Sequence, residues 1–266
     1  MDIHALHPLF AAEVTGLDLA GPLDAPVLEV LHDAFLEHAV LLFRGQHLGA
    51  VAQGDFARRL AALEAPLLDR RSLLLPPLLR IVAGAMPGEL PPADRAWHAD
   101  HTHEAEPSLA CIAHATGATV PGGTIGFADQ RAALANLPPA LRRRVEDLRA
   151  EHRHAGRLAE HPVVRSHPVS GEPSLFVNPG FTTRILNLPA AESERLLAAL
   201  FAAATAPRVT WTHDWAPGDL LLWDNRAVLH TGTPEDSAAG ILQRTRIEGD
   251  RPLGLRALEM PWVVAG

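Results

Sequence analysis

The sequence predicts a mainly β fold with flanking helices, an α+β arrangement, and three observations carry that expectation. Compact apolar runs such as Ala39–Phe43 and Ser108–Ala115 are closed off by Gly, Pro or Asp, as buried strands are. Strand patterns cluster in blocks with helices beside them, which fits a β-helix core better than alternating βαβ units. The length, 266 residues, suits one large domain, 1–266, and all-β barrels of that size commonly stay undivided.

In chain order, residues 1–20 read as a short strand pair around Ala11–Leu19. Asp24 is placed to N-cap a helix from Ala25 to His38, with Leu28, Leu31 and Phe35 at helical spacing. Ala39–Phe43 is a strand stopped by Arg44-Gly45, and a second helix covers Ala50 to Leu63. Residues 65–95, rich in Leu and Pro, are expected to be loop with one short strand near Leu79–Val82. A loop of that length is a candidate active-site lid. Ser108–Ala115 is the next strand, and Pro121-Gly122-Gly123 turns into a strand over Thr124–Ala128. Asp129 caps a following helix, and Pro138-Pro139 separates it from one predicted over Ala140–Glu151. Residues 152–173, with His-Pro and Glu-Pro boundaries, read as a long irregular excursion. A helix over 190–204 follows, then strands near 208–211, 219–223, 227–230 and 241–248.

Composition narrows the chemistry. All 23 basic residues are Arg, and the chain has no Lys and no Tyr. Schiff-base chemistry on lysine is thereby excluded, and an anionic ligand must be held by Arg, His, hydroxyls or backbone amides. The formal charge of −8 argues against a nucleic-acid partner, and Arg142-Arg143-Arg144 reads as a solvated helix face. One cysteine, Cys111, rules out internal disulfides and thiolate-rich zinc sites and fits a reducing cytoplasm. The start, MDIHALHPLF, has no signal-peptide pattern, and no apolar run suggests a membrane span. A small-molecule substrate is therefore the expected partner, and a homo-oligomer is compatible with the chain.

The densest chemistry lies in Ala96-Trp97-His98-Ala99-Asp100-His101-Thr102-His103. If that stretch is extended, His98, Asp100 and Thr102 face one way and Ala99, His101 and His103 the other. His98 and Asp100 can then grip one metal ion, with His230 of Trp223-Asp224-Asn225-Arg226-Ala227-Val228-Leu229-His230 as third ligand. Two His and one carboxylate, with open positions left on the ion, form the facial triad of non-haem Fe(II) oxygenases. The same three donors also serve hydrolytic Zn(II). His101 and His103 read as substrate-pocket or surface residues, His114 as a structural histidine, and His213 as a turn residue without a visible partner. Trp97 and Trp223 read as packing residues, and Asp224-Asn225 as a turn fixing the strand that carries His230.

Trp97-His98-Ala99-Asp100 followed by the distant Trp223–His230 segment resembles the taurine dioxygenase family of Fe(II)- and 2-oxoglutarate-dependent oxygenases. AVLLFRGQ at 39–46, PGGTIGFAD at 121–129, HPVVRSHP at 161–168, LFVNPGFTTRI at 175–185 and RIEGDRP at 246–252 extend the likeness in order. The resemblance implies a double-stranded β-helix (a jelly-roll, cupin-like core). It also implies Fe(II) on His98, Asp100 and His230, and 2-oxoglutarate with O2 on the open positions. The far carboxylate of 2-oxoglutarate is held in the family by a Thr after the Gly-Gly turn and by an Arg past the distal His. A second Arg lies four residues further on. Those positions fall here on Ile125, Gly240 and Arg244, so only the last is retained, with Thr124 and Arg246 as neighbours able to compensate. Arg244 and Thr124 are thus the candidate cosubstrate-binding residues. Arg70, Arg71, Arg80 and Arg95 are candidates to receive an anionic substrate, and Asn178 falls at a family position near the site. Two alternatives stand beside this reading, the first resting on the departures at Ile125 and Gly240. One is a facial-triad oxidase that does not use 2-oxoglutarate; the other is a non-catalytic metal-binding descendant of the fold.

Overall fold

The computed structural model describes residues 1–69, 81–84, 96–117, 123–232 and 242–255, of which 65–69 and 81–84 by their backbone alone. The cosubstrate position Gly240, the four arginines of 65–95 and most of the expected lid lie outside the described residues.

Among the described residues a seven-stranded sheet forms the back of the molecule. Its order is β1 (Asp2–Ala5), β2 (Ala12–Thr15), β3 (Val40–Phe43), β13 (Leu220–Asp224), β5 (Ser108–Ala115), β15 (Leu242–Glu248) and β4 (Ile81–Gly84). Only the β2–β3 pairing is parallel in this sheet. Register sorts the two faces. Phe43 pairs with Leu220 and Leu41 with Leu222, and this face packs against Leu31 and Phe35 of helix α1 (Ala25–His38) and Phe56 and Leu60 of α2 (Ala50–Asp69). Trp223 lies between Val40 and Cys111, and Leu221 between Leu42 and Ala113, on the opposite face. That face meets Ile125, Phe127 and Val228 of a second sheet, β12 (Thr210–Asp214), β6 (Thr124–Asp129) and β14 (Val228–Thr231). Period-two alternation thus gives two dry layers from one strand set, one under helices and one between sheets.

Two smaller sheets extend this front. One orders β11 (Thr182–Ile185), β7 (Arg149–His154) and β8 (Arg157–Pro162); the other orders β10 (Pro173–Leu175), β9 (Val164–Ser166) and β16 (Leu253–Gly254). Helices α3 (Gln130–Ala135), α4 (Pro139–Val145) and α5 (Ala190–Ala204) flank them, and α3 and α5 bury Leu134, Leu196, Leu197 and Leu200 in a shared apolar cluster. Asp129 accepts bonds from the backbone N–H groups of Arg131 and Ala132, the expected cap of α3. Asp24 stands at the N-cap of α1 without a side-chain bond, and Pro26 occupies the first turn instead.

Three expectations need correction. The helix predicted over 140–151 stops at Val145, and Arg149–His154 is strand. The span 152–173 is largely strand too. Ala155 and Gly156, with φ of 46° and 80°, make the two-residue turn that lets β7 return as β8. Polar alternation hid this hairpin: Ala150 and His152 point inward, as does His161 across from them, so buried imidazoles stand where sequence patterning expects aliphatic side chains. The second helix also runs on to Asp69, beyond the predicted end at Leu63. Among the described residues no helix is long and apolar enough to cross a membrane.

Candidate metal centre

His98 and His230 meet through the backbone. Each donates its N–H to the other's carbonyl, at 2.9 and 2.8 Å, in an isolated antiparallel bridge. Residues paired this way project side chains side by side on one face, and the two rings lie 4.3 Å apart between centroids. The chain does not continue as a strand beyond this bridge. It turns at Asp100, and His101 adopts φ of +61°. The extended-strand alternation expected for 98–103 therefore fails, although His98 and Asp100 still come to one side.

The turn brings Oδ1 of Asp100 to 3.7 Å from Nε2 of His98 and 3.6 Å from Nε2 of His230. All three ligand atoms lie within 4.8 Å of one another. An ion ~2.1 Å from each of two donors bridges a gap of up to ~4 Å, so the donor pairs of Asp100 with each histidine suit a common ion. Donor chemistry fits as well. His98 gives Nδ1–H to the carbonyl of Ala96 at 2.8 Å, which leaves Nε2 as the lone-pair nitrogen facing Asp100. Both ring nitrogens of His230 are buried without a hydrogen-bond partner among the described residues, a costly condition that an ion would relieve at Nε2. Burial, and then His98, push His230 down to about 3, so it is neutral at pH 7, the ligating form. Burial opposes ionisation of Asp100, but His230, His98 and Arg244 together hold its carboxyl well below the usual range.

Aromatic rings wall this group. Trp223 lies 4.9 Å and Phe127 6.3 Å from His230, and Phe181 lies 5.5 Å from His98. Trp97 packs so close to Gly126 that a Cβ there would lie 3.0 Å from its indole, which explains the glycine opposite Thr231. Phe181 belongs to the Leu175–Ile185 segment quoted above, but no ligand-type side chain marked it in the sequence.

Arg244 pairs with Ala113 on β5, on the inner face that also carries Trp223, and its charge reaches Asp100 and His230. Its guanidinium makes no hydrogen bond or ion pair with any described residue. Arg246 shares that face but is engaged, 3.7 Å from Glu104 and 3.4 Å from Glu248. Thr124 is not brought to the site. It is exposed, while its neighbour Ile125 is fully buried on the Phe127 face beside His230. The register of β6 leaves Thr124 pointing away, and the threonine expected as a cosubstrate ligand is corrected to an outward residue.

The remaining histidines separate clearly. His101 holds Ser108 Oγ through Nδ1 at 2.9 Å. His103 is buried against Phe181 and His154, at 5.1 and 5.0 Å, which excludes a surface position. Burial and neighbouring His101 and His154 lower it to about 4. His114 meets the carbonyl of Gln46 at 2.9 Å, a structural role as expected. His213 has the partner that sequence spacing did not reveal, Asp219 at 2.9 Å. Asn178 joins Thr102 to the 178–182 turn, donating to Thr102 Oγ1 at 3.1 Å and accepting from Phe181 N at 2.8 Å.

The model of the family described as "Taurine catabolism dioxygenase TauD, TfdA family" matches residues 2–246. The chain belongs to that family of dioxygenases. A relative in Sphingobium herbicidovorans, named (S)-phenoxypropionate/alpha-ketoglutarate-dioxygenase, is 36% identical over 94% of this chain and 95% of its own length. Among solved structures, a putative alpha-ketoglutarate-dependent taurine dioxygenase from Burkholderia xenovorans superposes on the dioxygenase with a TM-score of 0.79. It has 28% identity and covers 95% of this chain and 91% of the other. The structure of AAD-2 in complex with Mn(II) and N-oxalylglycine gives a TM-score of 0.76 at 26% identity, covering 94% and 98%.

Proposed function

We propose that this dioxygenase forms one domain around a double-stranded β-helix, with Fe(II) held by His98, Asp100 and His230. It uses 2-oxoglutarate and O2 to oxidise a C–H bond of a small anionic molecule. The observation that carries the metal reading is the convergence of the three donors, with the ring nitrogens of His230 buried and without a hydrogen bond to any described residue. Relatives named for alpha-ketoglutarate, one of them 36% identical, favour 2-oxoglutarate use over the 2-oxoglutarate-independent oxidase. Bound there, Fe(II) supplies open coordination positions at which 2-oxoglutarate decarboxylation is coupled to O2 reduction and substrate oxidation.

The chain's own part is positioning and exclusion of water. His98 is oriented by Ala96 O, and its ring is fixed beside His230 by the paired backbone. Phe127, Phe181 and Trp223 keep the surroundings dry, which strengthens each electrostatic contact inside. Arg244, unpaired by described residues and on the inner face, holds the far carboxylate of 2-oxoglutarate. Ile125 stands where the family has its threonine, so Arg244 carries this end of the ligand without a hydroxyl partner from that position.

The reading is tested with Fe(II)-loaded enzyme, 2-oxoglutarate, O2 and 2-phenoxypropionate as the probe acid. Succinate should form with O2 consumed in equal amount, and the probe should stimulate it. Failure of 2-oxoglutarate to turn over, with or without any acid tried, would return the oxidase reading to first place.

A further inference from the structure

Beyond the three donors, the turn between β13 and β14 holds a polar group with an unfilled role. Asn225 is buried there, and its Oδ1 receives two hydrogen bonds, from Trp223 Nε1 at 3.1 Å and from the backbone N–H of Asp100 at 3.2 Å. Both partners can only donate, so the oxygen end of the amide is fixed chemically. The other end is then the NH2 group, and Nδ2 is buried without a partner among the described residues. The main chain of Asn225 is pinned as well, its N–H bonded to Leu109 O at 2.9 Å. An amide held so firmly, with two donors idle beside a candidate ligand residue, is not explained by the turn alone.

Asp100 supplies the complementary need. Its carboxylate is within 4 Å of the ring nitrogens of His98 and His230, at 3.7 and 3.6 Å. A monodentate carboxylate ligand offers one oxygen to the ion, and its second oxygen is normally held by a hydrogen-bond donor. The two histidines could not be that donor, because their Nε2 lone pairs would be taken up by the same ion. Arg244 is reserved for an anion in the reading above, on which this step rests.

We infer that Asn225 is a positioning residue of the metal centre. Its Oδ1 fixes the main chain of Asp100, and its Nδ2 donates to the Asp100 carboxylate oxygen that does not face the ion. In this structure only the Oδ1 bond is made; with an ion on Asp100 the amide would set both the place and the rotation of the one anionic ligand.

The test uses the full-length apo protein titrated with Co(II), a redox-stable probe whose visible bands report ligand geometry. Wild type, Asn225→Asp, Asn225→Ala and His230→Ala are compared, with thermal melts of each apo form. Asn225→Asp keeps the acceptor for Trp223 and Asp100 but loses the NH2 donor. It is expected to weaken Co(II) binding by roughly ten- to a hundredfold and to shift the bands. Asn225→Ala should weaken binding at least as much. Affinity within twofold of wild type, or tighter, in Asn225→Asp overturns the donor role even if the melts fall. Retained binding in His230→Ala would instead show that the triad itself is wrong. A crystal structure of the wild type with Mn(II) decides the matter independently of how the variants fold. Nδ2 should lie about 2.9–3.1 Å from the free Asp100 oxygen, and a separation beyond hydrogen-bond reach overturns the inference.

Discussion

Two backbone hydrogen bonds between His98 and His230 bring their side chains out side by side, and the Nδ1 bond to Ala96 O then orients the His98 ring. Asp100 arrives by a turn and is held by Asn225 and by Ser108 N at 3.3 Å from its carbonyl. Arg244 is the residue whose contribution is easiest to isolate, because it bonds no described side chain and its removal leaves the local structure without an orphan. A charge-assisted hydrogen bond contributes ~1.5–3 kcal/mol. Arg244→Ala is therefore expected to raise the 2-oxoglutarate Kd roughly ten- to a hundredfold with Fe(II) still bound stoichiometrically. Equilibrium titration of the anaerobic enzyme checks this, and an unaltered Kd would remove Arg244 from the cosubstrate site.

At the scale of elements, the turn after β13 is locked from beneath by buried charges. Arg226 forks onto Glu64 of α2 at 2.5 and 2.8 Å and onto Asp224, which also meets His167 at 3.1 Å. Burial opposes both charges in the main pair. Arg226, with help from His32, nevertheless holds Glu64 at about 2, and Asp224 and Glu64 keep Arg226 protonated. Breaking such a buried group on one side leaves an uncompensated charge, at a cost of ~3–5 kcal/mol. Glu64→Ala should thus lower unfolding free energy by about that amount in urea titrations, whereas a surface pair such as Arg142 with Glu146 should contribute little. Neither partner of this lock was legible in sequence, since Glu64 and Arg226 are 162 residues apart and nothing local joins them. What was legible follows from local chemistry: Asp129 as a cap, Ser108–Ala115 as a strand, and the meeting of His98, Asp100 and His230. The β7–β8 hairpin was not, because its inward positions are His152 and His161 rather than aliphatic residues. Thr124 failed for a different reason. One residue of register decides a strand face, and spacing from the Gly-Gly turn does not fix it.

For the whole molecule, buried imidazoles make stability depend on pH. Burial pushes His161 down to about 4 and His152 well below its ordinary value, the latter with help from His161. In the unfolded chain each takes its proton near ~6.5. Between those values the unfolded state binds more protons, so stability rises with pH; it is complete above ~6.5 and is lost as pH falls toward 4. Each such histidine contributes a slope of ~1.4 kcal/mol per pH unit in that window. Urea unfolding from about pH 6.5 to 4.5 should show this slope, and His161→Gln should reduce it by one proton's worth. Loss of the Glu64 carboxylate belongs to a separate, more acid window, below ~4.5. The proposed function rests on one arrangement, the ligand atoms of His98, Asp100 and His230 within 4.8 Å of one another with Arg244 on the inner face. Its most direct test is the visible charge-transfer band of the anaerobic enzyme with Fe(II) and 2-oxoglutarate, recorded for the wild type, His98→Ala and His230→Ala. The account predicts a saturable band in the wild type and none in either variant, with the far-ultraviolet circular dichroism of all three alike; a band that persists without His230, or that never forms in the wild type at millimolar 2-oxoglutarate, would contradict it.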